Sequence, residues 1–293
     1  MTFQRPRGTV KLGQYEIARI GYGAMQLEHV DTAAATAVLH RAVELGVNHL
    51  DTASFYGHTT GNQHIRAALH PYPDDLVIVS KVGARRVDGP VPLTLAQQPH
   101  ELREQIHLDL TSLGLEQVPV VNLRRADQGP GLIAEGDQVV PLDDQLAELI
   151  ALRNEGLIGA IGLSNVSTAQ LQQALPAGIV CVQNAYSVLD RSSEEQLEIS
   201  AANDLAWIPY FPLGSAFDRI PSPAEHPVVR RIADREGLTP AAVCLAWILA
   251  HDNHTALIPG TRSVGHLEDN VRTAEVELGE RVLAELDQLG VSA

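Results

Sequence analysis

An aspartate, a tyrosine and a lysine raise the first chemical question. The segment LGVNHLDTASFYG, Leu45 to Gly57, runs an apolar stretch into Asp51 and carries Tyr56 shortly afterwards, and Lys81 closes the next apolar run, DLVIVSKV. A phenol with an unperturbed pKa of ~10 is a poor acid at neutral pH, and an ammonium close to it favours its ionised form. Lys81 can supply that charge, and Asp51 can in turn keep a partly buried lysine protonated and oriented. Spacing alone is equally compatible with a structural salt bridge and an unrelated surface tyrosine. The choice depends on whether the three side chains meet, and that is a question about the elements carrying them.

Those elements recur with a rhythm. Strand-like runs are predicted at Ala18–Gly23, His49–Thr52, Leu76–Lys81, Val118–Arg124, Leu157–Leu163, Ile179–Ala185, Ala206–Phe211 and Thr255–Pro259, each followed by a helix-like segment. The helices are read from apolar residues three and four apart, as in Val38, Ala42 and Leu45 or Leu146, Leu149 and Leu152, with stops near Gly46 and Gly156. Eight strand–helix units in a chain of 293 residues fit one domain over 1–293, a (β/α)8 TIM barrel, with an open doubly wound sheet as the alternative. Ahead of the barrel, Thr9 to Arg19 reads as a short β-hairpin turning at Leu12-Gly13-Gln14. Two stretches rich in Gly, Pro and polar residues, Gly83–Pro99 and Ala126–Pro141, read as loops. In a barrel they lie on the face where active sites are built, together with Asp51, Tyr56 and Lys81.

Composition narrows the partners. The formal net charge is −15, and no run of Lys and Arg forms the basic stripe that nucleic-acid binding requires. Such a surface repels acidic lipids and makes any anion site depend on a few local cations. The start MTFQRPRGTVKLG lacks a signal-peptide core, and the apolar run Ala241 to Ala250 is too short to span a bilayer, so a cytoplasmic protein is expected. Cys181 and Cys244 sit in apolar settings and read as buried, reduced thiols. No metal site is expected: His251 and His254 in HDNH resemble a ligand pair but precede the eighth strand, away from the catalytic face, and read as loop histidines. GPGLIA, Gly129 to Ala134, fits a loose dinucleotide fingerprint but lacks a following helix and an acidic partner.

DTASFYG with SK, then IGLSN, YFPLGS and IPGTRSVGHLEDN, resemble the aldo-keto reductase family in matching order across nearly the whole chain. The resemblance implies a barrel that binds an extended nicotinamide dinucleotide, with Tyr56 as general acid, Lys81 and Asp51 tuning it, and transfer of the pro-R hydride to the carbonyl or imine of a small molecule. It further implies Ser164, Asn165 and Gln183 on the carboxamide and Tyr210 stacked on the nicotinamide ring. Pro212, Leu213, Gly214 and Ser215 form a loop whose backbone NH groups, those after the proline, can approach a pyrophosphate, glycine allowing close contact. In IPGTRSVGHLEDN a strand passes into a helix, so Gly260, Thr261 and Ser263 sit where a helix amino terminus attracts phosphate. Arg262 with Ser263 suits a 2′-phosphate and favours NADP over NAD. His266 and Asp269 replace the family's usual glutamine and glutamate, and Asn270 is retained. One departure concerns the chemistry itself: LGLEQVPVVNLRRAD aligns without a gap and puts Arg124 where the family has a histidine, with Asn122 two residues earlier on the same strand face. Either can donate a hydrogen bond to a carbonyl oxygen, but neither exchanges a proton near neutral pH as imidazole does. Alternatively, Arg124 pairs with a loop acid such as Asp127. An altered fourth position also leaves open a nicotinamide-binding regulatory or sensor subunit with little turnover, and Lys81 by itself would suit a Schiff-base lyase.

Overall fold

The computed structural model describes residues 8–89, 92–129, 131–215 and 220–290. The chain begins with the expected hairpin, β1 (Thr9–Leu12) and β2 (Tyr15–Ala18), paired so that Leu12 faces Tyr15. Its turn needs a glycine: Gly13 has φ +61, and a Cβ there would meet Val180 Cγ1 at 2.9 Å. Val10, Leu12 and Ile17 are buried in one apolar cluster with Val77, Val79, Val120, Ala160, Cys181 and Ala206 from the barrel strands, so the hairpin plugs the barrel floor.

The wall is a parallel sheet of seven strands in the order β11-β10-β9-β8-β5-β4-β3. These are β3 (Tyr22–Gly23), β4 (His49–Asp51), β5 (Val77–Val82), β8 (Val118–Arg124), β9 (Ile158–Ser164), β10 (Ile179–Gln183) and β11 (Ala206–Trp207). The eighth staves of this (β/α)8 barrel are single bridges rather than a ladder. Trp207 pairs with Thr255 and Ile20 with Leu257, tied by Ala256 N–H to Trp207 O (2.9 Å) and Leu257 N–H to Arg19 O (2.7 Å). The segment expected as a strand over Thr255–Pro259 is thus too short to build a ladder on either side, and Pro259 has no N–H to extend it. The seventh strand is shorter than expected for a related reason, with Tyr210 rejoining the sheet by a bridge to Ala185.

Between the strands run α1 (Thr32–Glu44), α2 (Thr60–Leu69), α3 (Pro99–Leu113), α4 (Leu142–Asn154), α5 (Thr168–Ala174), α6 (Glu194–Ala202), α7 (Pro227–Glu236), α8 (Pro240–His251), α9 (Val264–Arg272) and α10 (Glu280–Asp287). α1 buries one stripe, with Ala35, Val38, Leu39 and Ala42. The run Ala241–Ala250 proves to be a helix with Val243 to Leu249 all buried. The stretch Gly83–Pro99, read as loop, contains a second hairpin: β6 (Ala84–Arg86) pairs antiparallel with β7 (Leu93–Leu95). Composition concealed these strands because each has three residues, too few for alternation to register. The described residues of 126–141 are irregular apart from a short turn of helix at Gly136–Gln138.

Strand alternation sorts the barrel interior into layers. The register pairs Val79 with Val120 and Val120 with Ala160; one layer higher it pairs Lys81 with Asn122 and Asn122 with Gly162, and at the rim Arg124 with Ser164 and Ser164 with Gln183. The floor is apolar and the mouth is polar.

Candidate active site

Asp51 ends β4 and Lys81 lies near the end of β5, both facing inward. Lys81 is 6% exposed and Asp51 2%, and Lys81 Nζ donates to Asp51 Oδ1, to Thr52 O (3.2 Å) and to the Tyr56 hydroxyl (3.3 Å). Tyr56 occupies the turn after β4, its N–H bonded to Ala53 O at 3.0 Å. The second oxygen of Asp51 accepts from Gln183 Nε2 at 2.8 Å. The wall therefore brings together the three side chains whose meeting the sequence left open.

Their electrostatics differ from the simple expectation. Burial pushes the Tyr56 phenol above its ordinary pKa, and the opposing pull of Lys81 is smaller. For Lys81, burial works against the ammonium, but Asp51 and Tyr56 together outweigh it and hold its pKa above that of an ordinary lysine. At rest the arrangement is a neutral phenol beside a protonated amine.

At the end of β8, Arg124 is half-buried, with its guanidinium carbon 5.8 Å from the centre of the Tyr210 ring. Its field reaches both the Tyr56 and Tyr210 hydroxyls and lowers their pKa values against burial. The neighbouring Arg125 turns to the other face of the wall. It pairs with Asp127 (Nε to Oδ2 2.7 Å) and bonds to Val140 O (2.9 Å) and Gln145. The ion pair with Asp127 considered for Arg124 therefore belongs to Arg125, because alternation puts only one of two adjacent residues on the loop side. Asn122 lies fully buried one layer below the rim, accepting from Cys181 Sγ at 3.2 Å. Only a glycine fits opposite it, since a Cβ at Gly162 would meet Asn122 Oδ1 at 1.9 Å.

Two buried groups here were missed by the sequence reading. His49, inward on β4, has a pKa lowered to about 4, chiefly by burial, and is neutral. Asp109 lies on the buried stripe of α3 with Leu102, Ile106 and Leu113. A carboxylate at helical spacing among apolar residues was the signal that could have found it.

Further along the mouth, Ser164 Oγ and Gln183 Oε1 are buried without hydrogen-bond partners. Asn165 adopts φ +59, donates to Arg125 O (3.1 Å) and Gln128 O (2.8 Å), and accepts from the Tyr210 hydroxyl (2.9 Å). Pro212, Leu213, Gly214 and Ser215 are partly exposed, and Gly214, at φ +78, lies so close to Pro221 that a Cβ would meet its carbonyl oxygen at 2.3 Å. Beyond them Gly260 packs on Gly23, and Ser263 caps α9 by accepting from His266 N–H at 3.4 Å. Thr261 is buried and accepts from Ser263 N–H at 3.1 Å, whereas Arg262 and His266 are exposed, Asp269 pairs with Arg272, and Asn270 is partly buried. The two orphaned buried polar atoms suit a nicotinamide amide, and the α9 amino terminus beside the exposed Arg262 suits a phosphorylated ribose.

A profile of the aldo/keto reductase family matches residues 19–291. The chain belongs to the aldo/keto reductase family. It is 41% identical over 288 residues to pyridoxine 4-dehydrogenase of Escherichia coli, covering 95% of this chain and 97% of that protein. An oxidoreductase of Schizosaccharomyces pombe is 34% identical, over 97% of this chain and 90% of its own. Among solved structures, an aldo-keto reductase from Klebsiella pneumoniae in complex with NADPH superposes with a TM-score of 0.80 at 23% identity, covering 97% of this chain and 95% of that one. This aldo/keto reductase is an oxidoreductase, and its family uses NADP(H). Among the described residues no helix is long and apolar enough to cross a membrane, and no group of three His, Cys, Asp or Glu is placed to hold a metal ion. His251 is no loop residue: it ends α8 and bonds to Glu194 at 2.6 Å.

Proposed function

We propose that this enzyme reduces a small-molecule carbonyl, or the imine formed from one, with Tyr56 as the proton donor. The observation that carries the reading is the single ammonium of Lys81 bonded at once to Asp51 and to the Tyr56 hydroxyl. NADPH supplies the hydride. As negative charge develops on the substrate oxygen, Tyr56 gives up its proton to it, and Lys81 stabilises the phenolate left behind while Asp51 keeps Lys81 charged. Arg124 donates a fixed hydrogen bond to the substrate's polar atom, and Asn122, one layer lower, supports the floor beneath it. Ser164, Gln183 and Asn165 would hold the carboxamide, Tyr210 would cover the nicotinamide ring, the Pro212 to Ser215 loop would hold the pyrophosphate, and Gly260 to Ser263 with His266, Asp269 and Asn270 would hold the adenosine end. The name of the 41% identical relative makes pyridoxal, the 4-aldehyde of pyridoxine, the first substrate to test. The free, buried thiols of Cys181 and Cys244 suit a reducing, cytoplasmic compartment.

NADPH oxidation followed with pyridoxal and with simple aromatic aldehydes tests the reading. Tyr56→Phe should lower kcat by about 10²-fold or more with NADPH affinity nearly unchanged. A wild type that binds NADPH yet oxidises it with none of these carbonyls would favour a nicotinamide-binding sensor instead. Arg262→Ala should weaken NADPH binding by roughly 10-fold or more and NADH binding much less, since only NADPH offers a 2′-phosphate for a charge-assisted bond. Equal losses would remove the NADP assignment.

A further inference from the structure

On the outer side of the same wall, strand alternation places Thr52 next to Asp51 and Ser80 next to Lys81. Both outward side chains lead to one carboxylate. Ser80 Oγ donates to Asp109 Oδ2 at 2.6 Å, and Thr52 Oγ1 donates to Asn62 Oδ1 at 2.8 Å. The same Asn62 side chain donates through Nδ2 to Asp109 Oδ1 at 2.8 Å and to Ser112 Oγ at 2.9 Å. Ser54, from the turn that carries Tyr56, also hydrogen-bonds Asp109. Thr52, Asn62, Ser80 and Asp109 are all 0% exposed and Ser54 is 3% exposed. Among the described residues no cation forms a salt bridge with Asp109, and the side chains that hydrogen-bond it are neutral.

We propose that Asp109 is a positioning residue that clamps the ends of β4 and β5 and the Tyr56 turn from behind, holding Asp51, Lys81 and Tyr56 in register. The proposal rests on the reading that those three do the chemistry. A buried carboxylate is costly unless its lone pairs are filled, and this one is filled by donors from β5, from the β4 turn and from α2. An apolar residue at this place would suit a helix that merely packs; a carboxylate accepts several bonds at once and so ties the turn after β4 and the start of α2 to β5, beyond the β4–β5 ladder itself. The alignment of Tyr56, Lys81 and Asp51 is sensitive to movement between these elements, because proton and hydride transfer depend on sub-ångström placement. Thr52 joins the two sides directly: its hydroxyl enters the outer network while its carbonyl accepts from Lys81 Nζ.

Asp109→Asn in the full-length enzyme tests this, with Ser80→Ala, which removes a single donor, as a milder second variant. Two readouts are taken. In hydrogen–deuterium exchange, peptides covering 52–61 and 80–82 should exchange roughly 10-fold faster while the remaining wall keeps wild-type protection. In single-turnover oxidation of NADPH by pyridoxal, the hydride-transfer rate should fall by about 10-fold with the NADPH dissociation constant within about twofold of wild type. Ser80→Ala should move both readouts the same way by less. If both variants leave local exchange and the transfer rate unchanged, or if exchange accelerates evenly across the chain, Asp109 is only a packing residue and the proposal fails. If the wild type shows no transfer with any carbonyl, the functional reading fails, and the exchange pattern still decides the clamp.

Discussion

The two faces of one wall use similar residues for opposite ends. On the inner face, Asp51 meets an ammonium and both its oxygens are bonded, within a cluster that opens to the mouth of the barrel. On the outer face, Asp109 meets hydroxyls and an amide, and its burial is complete. Arg124 and Arg125 repeat the pattern: adjacent in the chain, one faces Tyr210 at the rim, the other is spent on Asp127, Val140 and Gln145. On the proposed reading, residue type does not separate chemistry from support in this barrel; the face of the strand does.

The strongest way to break that contrast is Lys81→Met, which would leave Asp51 buried without its cation, in a predicament like that of Asp109 but with fewer donors. A loss of about 3–5 kcal/mol of stability is expected for a stranded buried charge, together with near-complete loss of turnover. Thermal unfolding monitored beside the NADPH assay checks both; retention of wild-type stability would show that Asp51 does not depend on Lys81.

The arginine pair offers a sharper comparison. Arg124→Ala should lower kcat/KM for carbonyl substrates by about 10²-fold, the scale of one preorganised donor, with little change in melting temperature. Arg125→Ala should reverse the pattern, costing stability while sparing the transfer step. Because arginine does not titrate in the accessible range, the rate profile should show no histidine-like limb from this position, and Arg124→His should introduce one. If Asn122→Ala is the variant that abolishes reduction while Arg124→Ala is tolerated, the donor sits one layer lower than proposed.

The smallest expected effect is thermodynamic. Burial pushes the Asp109 carboxyl up to about 7, with Ser80, Asn62, Lys81 and Ser54 acting against it, whereas in the unfolded chain it titrates at ~3.9. Between those values the folded state holds a proton that the unfolded state has released, so this contribution to stability is present at acid pH and is lost as pH rises through about 7. His49 acts in the opposite sense: lowered to about 4, it costs stability as pH falls below its unfolded value of ~6.5. Melting curves of wild type and Asp109→Asn from pH 5 to pH 8 separate the two, because only the wild type should carry the decline from pH 5 that levels off above about 7. Parallel curves would mean that Asp109 does not change protonation over this range.

Much of this was legible in the residues themselves. Short, nearly continuous apolar runs alternating with 3.6-period stripes point to a strand–helix repeat, because strands buried on both faces lack the one-sided stripe of a helix. The motifs DTASFYG, IGLSN, YFPLGS and IPGTRSVGHLEDN place the candidate groups at strand ends and a helix start in chain order. The tertiary structure alone decided the rest. Whether Lys81 reaches Tyr56 depends on β4 and β5 being neighbours in register, a pairing that brings together residues distant in the chain. Which arginine takes Asp127 depends on the phase of β8, and the direction of the Tyr56 shift depends on how much water the folded wall excludes. Asp109 stands out only once helix and strands are packed, since local sequence sets which side chains a segment presents but packing sets the dielectric and the partners they meet.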